Sequence, residues 1–332
     1  MLNRDLIGRI IYSNSFNPWF NLALEEYLLE NAKDNEIIFY LWQNANTVVI
    51  GSNQNPWKEC NIEALNNEEG KLARRLSGGG AVYHDMGNLN FTFITSKDNF
   101  NIEKQLSVII DAVGKFNVEA LFSGRNDIEV EGKKFSGNAF YYGEENSYHH
   151  GTLLLDVDKS KLSRYLQVSK EKIQSKGIDS VKSRVVNLKE LNSDIDISSL
   201  KKALVESFKK IYSLNAGEFI AEEEKFNEIK ELYKKYSSWQ WIYGETPIFH
   251  IKYEKRLSFG SIDINLNVSK GIINEVKVYS DALKTSLPYA IEKALKGINF
   301  EKASVLMPLK NIKDESIQKE MEEIVLWLQE DF

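Results

Sequence analysis

The chain has 332 residues, about twice a typical domain, and its 42% hydrophobic and 27% charged residues predict a folded core of good size in two units and exclude disorder or low complexity. A formal net charge of −6 argues against nucleic acid as the main partner, because counterion release needs a broad Lys/Arg surface, while a local basic pocket stays compatible with it. The single cysteine, Cys60, excludes an internal disulfide framework, the four histidines His84, His149, His150 and His250 leave no Cys/His spacing for zinc, and no apolar run reaches the roughly 18 residues of a membrane span, which places the chain in the cytoplasm with no membrane partner.

In chain order, IGRIIYS reads as a strand and NPWFNLALEEYLLENA as a helix, with Asn17 as N-cap, Pro18 in the first turn, and Phe20, Ala23, Leu24, Tyr27 and Leu28 on one core face. EIIFYLW and NTVVIG follow as two neighbouring strands joined by a turn at Gln43 to Asn46. In KLARRLSGGGAVYHDMGNLNFTFIT, Leu89, Phe91 and Phe93 alternate with Asn90 and Thr92, so the glycines lie between strands. EKQLSVIIDAVGKFN is a helix, EVEGKKFSGNAFYY a hairpin turning at Glu131 and Gly132, and HHGTLLLDVD a strand. Helical periodicity returns in ISSLKKALVESFKKIY, where Leu200, Leu204, Phe208 and Ile211 align, and in AEEEKFNEIKELYKKYS. The mixture predicts an α+β (mixed α/β) domain. Gly244 and Pro247 then break the pattern, dividing the chain into residues 1–244 and 245–332. The second part contains a hairpin, SIDINLNVSKGIINEVKVYSD, and two helices, LPYAIEKALKG and ESIQKEMEEIVLWLQ. No catalytic group is evident in this small α+β unit, which is expected to cover or support the larger one.

Two stretches carry chemistry. In RRLSGGGAVYHDMGNLNF, residues 74–91, Gly78, Gly79 and Gly80 allow positive φ and bring N–H groups close to an anion, as a phosphate cradle requires. A plain hairpin turn is the competing reading. The loop is neither a P-loop nor a dinucleotide turn, since Tyr83 stands where the last glycine of G-x-G-x-x-G belongs and a strand follows. Arg74, Arg75 and His84 favour a site: of two adjacent arginines on a strand, one can face an anionic ligand while the other is solvated. In GRNDIEVEGKKFSGNAFYY, residues 124–142, strict alternation places Lys134, Ser136 and Asn138 on one side and Phe135 on the other. Lys134 is then a fixed cation able to hold a phosphate and an attacking carboxylate together, with Lys133 pointing elsewhere; a solvated polar face reads equally well. Asp127 suits Mg2+, which takes one or two carboxylates alongside nucleotide phosphates, or a simple cap. His150 either reaches a pocket or serves the strand structurally.

Together and in this order, RRLSGGGAVYHDMGNLNFTF, GRNDIEVEGKKFSGNA, YHHGTLLLD and KGIDSVKSRVVNL resemble the lipoate-protein ligases, over nearly the whole chain. NPWFNLALEE, QNPWKEC and the small carboxy-terminal unit resemble the two-domain form of that family. The resemblance implies a large catalytic domain of the class II synthetase and biotin-ligase type. It also implies activation of free lipoate by ATP to lipoyl-adenylate, then transfer to a lysine of an acceptor, either an apo lipoyl domain of a 2-oxoacid dehydrogenase E2 subunit or the glycine-cleavage H protein. On that basis Arg75, Gly78, Gly79, Gly80, Ala81, Val82, Tyr83, Lys134 and Ser183 are expected at the ATP, Lys134, Gly80, His84 and His150 at the lipoate, Lys134 as the catalytic cation, and Asp127 at Mg2+. KGIDSVKSR, residues 176–184, resembles the family's adenylate-binding loop.

Two rivals stand beside this. An octanoyl or lipoyl transferase would use a cysteine thioester and no ATP, and Cys60 is its only candidate nucleophile. A binding protein or adenylate-dependent transferase would hold lipoyl-adenylate without making it.

Overall fold

The computed structural model describes residues 6–123, 127–167, 185–223, 227–246, 248–280, 282, 284 and 286–332. Ser183, the rest of 176–184, Pro247 and residues 124–126 lie outside that set. The chain divides into two compact units, Met1–Ser238 and Trp239–Phe332.

The first unit begins with β1 (Ile7–Ser13), α1 (Pro18–Asn31), β2 (Glu36–Trp42) and β3 (Thr47–Ile50). Short helices α2 (Pro56–Glu59) and α3 (Ile62–Asn67) precede β4 (Lys71–Arg74), β5 (Val82–His84), β6 (Asn88–Ser96) and α4 (Ile102–Gly114). Then come β7 (Leu121–Ser123), β8 (Asp127–Val130), β9 (Lys133–Tyr142), β10 (Asn146–Leu154), α5 (Lys159–Tyr165), α6 (Leu188–Leu191), α7 (Ile197–Tyr212), β11 (Ala216–Ala221) and α8 (Lys230–Ser237). An eight-stranded sheet in the order β11-β1-β2-β6-β10-β9-β8-β7 and a three-stranded sheet in the order β4-β3-β5 organise them. The large sheet is mixed: β1 runs parallel to both β11 and β2, and the remaining pairings are antiparallel.

Alternation gives the large sheet two characters. Phe39 and Leu41 of β2, Leu89, Phe91 and Phe93 of β6, and Leu153 of β10 join the apolar faces of α4 and α7 in the main core. Between them Tyr40, Trp42, Asn90, Thr92, Tyr148 and His150 point to the opposite side. There α1 is buried almost all round, with Asn17 accepting from the Trp19 amide as its N-cap.

Several sequence expectations are corrected by pairings between residues remote in the chain. EIIFYLW and NTVVIG are not neighbours: β2 joins the large sheet, and β3 lies between β4 and β5 in the small one. The helical reading of AEEEKFNEIKELYKKYS covers only α8 and a preceding turn of 3-10 helix, Asn227–Ile229, because Ala221 ends β11, whose pairing with β1 no local pattern reveals.

The second unit has an antiparallel sheet of β12 (Phe249–Leu257), β13 (Gly260–Ser269) and β14 (Ile272–Ser280), with α9 (Ser286–Leu295), α10 (Lys302–Lys310) and α11 (Gln318–Asp331). Ile262, Ile264, Leu266 and Val268 face its interior. The expected hairpin is β13 and β14; strand β12 and helix α10 add to the two helices read from sequence. Pro308 sits near the end of α10, where it interrupts the periodicity on which that reading depended.

Candidate active site

A cavity of about 130 Å³ lies in the first unit between the polar face of the large sheet and the small sheet, lined by Trp42, Val49, Arg75, His84, Lys134 and His150 among others. Leu22 of α1 closes one side, and Gly79, Gly80, Ala81 and Val82 pass over it. The glycine loop and the lysine strand, whose Gly80 and Lys134 lie 54 residues apart in the chain, therefore meet at one cavity.

Neither arginine of the pair is solvated, contrary to the sequence reading. Arg74 is fully buried and donates to the carbonyls of Ser52 at 2.9 Å and Gln54 at 2.8 Å. Arg75 lies beneath the glycine loop, donating to the carbonyls of Gly78 at 2.7 Å and Gly80 at 2.9 Å, and to Val49 at 3.2 Å. A guanidinium is a fork of five donors, and here it orders the loop from below by turning two of its carbonyls inward. Burial pulls its pKa down to about 10, so it stays charged at neutral pH. Of the three glycines, Gly79 is the one conformationally required, at φ 91°.

Arg75 is in turn held by a buried chain of hydrogen bonds. Its Nε donates to Ser77 Oγ at 2.9 Å, Ser77 Oγ meets His150 Nε2 at 2.8 Å, and His150 Nδ1 meets Glu25 Oε1 at 2.9 Å. Glu25 also accepts from Thr92 Oγ1 at 2.7 Å, which accepts from Trp42 Nε1 at 3.0 Å. Glu25 as a carboxylate only accepts, so His150 Nδ1 donates to it, and His150 Nε2 meets the Ser77 hydroxyl. His150 thus borders the cavity while linking α1 to the loop. Sequence reasoning missed Glu25, Ser77, Thr92 and Trp42. The available signals were an acid inside the apolar run NLALEEYLL and the polar positions alternating with Leu89, Phe91 and Phe93.

Lys134 reaches the cavity, but the Ser136 and Asn138 side chains do not share its side of the strand, although Asn138 borders the cavity. The β8–β9 register slips so that Ile128 pairs with Ser136 and Glu129 with Lys134, leaving Phe135 as an extra residue. Beyond this bulge the Asn138 side chain turns to the core side, where its Oδ1 lies 2.8 Å from His149 Nε2, itself stacked on Phe93. Lys134 instead shares the cavity side with Gly137, where an added Cβ would lie 2.7 Å from the Lys134 Nζ. Its ammonium pairs with Asp127 at 2.7 Å.

Asp127 belongs to no metal-ligand cluster: among the described residues no group of three or more His, Cys, Asp or Glu side chains could hold a metal. It fits only as one ligand of an ion carried mainly by phosphate oxygens. Val82 and His84 face the cavity, whereas the Tyr83 side chain turns away to pack on Tyr165 and donate to Asn46 Oδ1 at 3.1 Å. Cys60 is buried away from the cavity, and burial pushes its thiol up to about 12, a poor setting for a thioester nucleophile. Val185, the first described residue after residue 184, forms a bridge with Lys134.

The fold and cavity define a mixed-sheet domain built to hold a small molecule under a glycine loop. Residues 17–209 match the lipoyl protein ligase A/B catalytic domain and residues 246–328 the bacterial lipoate protein ligase C-terminus. Lipoate-protein ligase A of Blochmanniella floridana is 40% identical over 304 residues, 90% of each chain. The crystal structure of P. falciparum LipL1 in complex with lipoate is similar at 33% identity and a TM-score of 0.64, covering 97% of this chain and 99% of the other. That of lipoate-protein ligase A bound with ATP is 25% identical with a TM-score of 0.64, over 72% and 100%. The chain belongs to the lipoate-protein ligases, in their two-domain form.

Proposed function

We propose that the chain attaches lipoate to proteins in two steps driven by ATP. In the first, the lipoate carboxylate attacks the α-phosphorus of ATP, the bond to the pyrophosphate oxygen breaks, and lipoyl-adenylate and pyrophosphate form. In the second, the ε-amine of an acceptor lysine attacks the adenylate carbonyl, the amide forms, AMP leaves, and the amine's proton passes to solvent.

One observation carries this reading: a single cavity is lined by the buried Trp42, Val49 and His84, by the partly exposed Lys134, and by Gly79 and Gly80 of the glycine loop. Such a slot suits a carboxylic acid with an apolar chain, inserted tail first. Lys134 is then the catalytic cation, contacting both the carboxylate and the α-phosphate, where preplaced charge stabilises the transition state more than water can. Gly78, Gly79, Gly80, Ala81, Val82 and the Tyr83 backbone cover the nucleotide, Arg75 acts through the loop it organises, and Ser183, outside the described residues, contributes to the ATP site. Asp127 is the protein's contribution to Mg2+ brought by the nucleotide. Gly80, His84 and His150 adjoin the lipoyl chain. Met1–Ser238 carries the chemistry and Trp239–Phe332 supports it. The acceptors are apo lipoyl domains of 2-oxoacid dehydrogenase E2 subunits or the glycine-cleavage H protein, met in the cytoplasm with ATP. Among solved relatives, a bipartite lipoate protein ligase of Thermoplasma acidophilum was described together with its E2 lipoyl domain, which supports that class of partner.

The test is the intact mass of an apo lipoyl domain after incubation with protein, lipoate and Mg-ATP, each omitted in turn. The expected result is a gain of one lipoyl group that requires every component. Gain only from preformed lipoyl-adenylate would replace the reading with a transferase lacking the activation step.

A further inference from the structure

The deep end of the cavity contains one buried polar atom without a partner among the described residues, His84 Nε2. Its ring is only 3% exposed and stands edge-on to Trp42. Which ring nitrogen carries the proton is fixed by the amide side chains packed against the ring. Asn21 Nδ2 lies 3.0 Å from the Ser15 carbonyl and 2.8 Å from the Gln43 carbonyl, acceptors that only an N–H can satisfy, so the Asn21 amide has one orientation. The same nitrogen, sharing one of its two protons, also faces Asn44 Oδ1 at 2.9 Å, which turns Asn44 Nδ2 toward His84 Nδ1 at 3.2 Å. Asn90, whose Oδ1 accepts from Asn88, aims its own Nδ2 at that nitrogen from 3.5 Å. An amide N–H only donates, so Nδ1 accepts and the proton sits on Nε2. Burial, with Arg75 and His150 nearby, pulls the ring's pKa down to about 3, so it is neutral at any working pH.

We propose that His84 is a specificity-determining residue whose Nε2–H selects an acyl chain ending in a weak acceptor, the sulfur of a dithiolane, over a saturated alkyl chain of similar length. This rests on the lipoate-activating reading. The acid's carboxylate is held at the rim by Lys134, whose side chain is 31% exposed, so its tail lies toward His84. A plain alkyl end leaves the donor buried and unsatisfied, whereas a sulfur, though a weak acceptor, relieves part of that penalty. A discrimination of roughly tenfold follows.

The experiment measures kcat/KM for pyrophosphate release with lipoate and with octanoate in the wild type, His84→Phe and His84→Gln. The wild type is expected to favour lipoate by about tenfold, His84→Phe to lose most of that ratio, and His84→Gln, which keeps an amide N–H, to retain most of it. A wild-type ratio near one, or a ratio unmoved in His84→Phe while both acids slow together, overturns the proposal. Imidazole nitrogen shifts of the wild type give a readout independent of turnover: protonated Nε2 and bare Nδ1 are expected, and the opposite tautomer overturns it. If neither acid yields pyrophosphate, the ligase reading fails and this inference with it; if lipoate is activated without preference, only this inference fails.

Discussion

Lys134 is reached through a glycine. Replacing Lys134 by Ala is expected to lower kcat/KM for adenylate formation by about 100- to 1000-fold, roughly 3 to 4 kcal/mol, by analogy with loss of an oxyanion donor. Pyrophosphate release measures it, and a loss under threefold in a folded variant would remove Lys134 from the chemistry. Gly137→Ala tests the same cation without replacing it. The new Cβ would lie 2.7 Å from Lys134 Nζ and 2.8 Å from its Cε, and the end of a flexible side chain yields before backbone does. Activity should fall about tenfold, since a displacement of about 1 Å can cost that and more, while the melting temperature moves by no more than about 2 °C. A large stability loss with activity per folded molecule intact would show that the glycine serves the strand instead. In the sequence Lys134 is separated from its neighbour Lys133 by alternation against Phe135 and by the family resemblance. Its neighbours were misplaced because one inserted residue, Phe135, reverses every later side chain.

Elements explain why the glycine loop needs a helix distant from it. Glu25 of α1, through His150 and Ser77, fixes the arginine under the loop, so β4, β5 and β10 share one support. The capping of the helices is local and readable: Asn17, Asn101 and Asp196 each accept from a first-turn amide. The C-terminus of α7 is less favourable, because Ser213 closes it in the left-handed region at φ 54° and ψ 43°. A non-glycine residue there costs about 1 kcal/mol. Ser213→Gly is therefore expected to stabilise by about 0.5 to 1 kcal/mol and raise the melting temperature by about 1 to 4 °C. Ser213 does not line the cavity, so turnover should be unchanged; a lower melting temperature in a calorimetric scan would refute the account.

At the scale of the molecule, two buried neutral histidines set an acid limit on stability. Burial holds both His84 and His149 down at about 3, against about 6.5 in the unfolded chain. Between these values the unfolded state binds more protons, so stability rises with pH and is lost as pH falls below about 6.5. From pH 6.5 to 5.5 the two together should cost about 2 kcal/mol, measurable as a falling denaturation midpoint. The slope should be about halved in His149→Gln, and an equal slope there would sink the assignment. Local sequence determined much of this protein: helices α4 and α7, the β8–β9 and β13–β14 hairpins, the glycine loop, and the motif order that marks the family. These depend on periodicity, turn chemistry and residue types at short range. Tertiary structure alone decided that β2 and β3 part into different sheets, that both arginines are buried, and that Trp42, Asn90 and His150 meet Lys134 and His84 around one cavity, with Glu25 behind His150. The physical reason is that parallel pairing, a bulge and a buried hydrogen-bond chain join residues tens of positions apart, and no local period records which partners they will find.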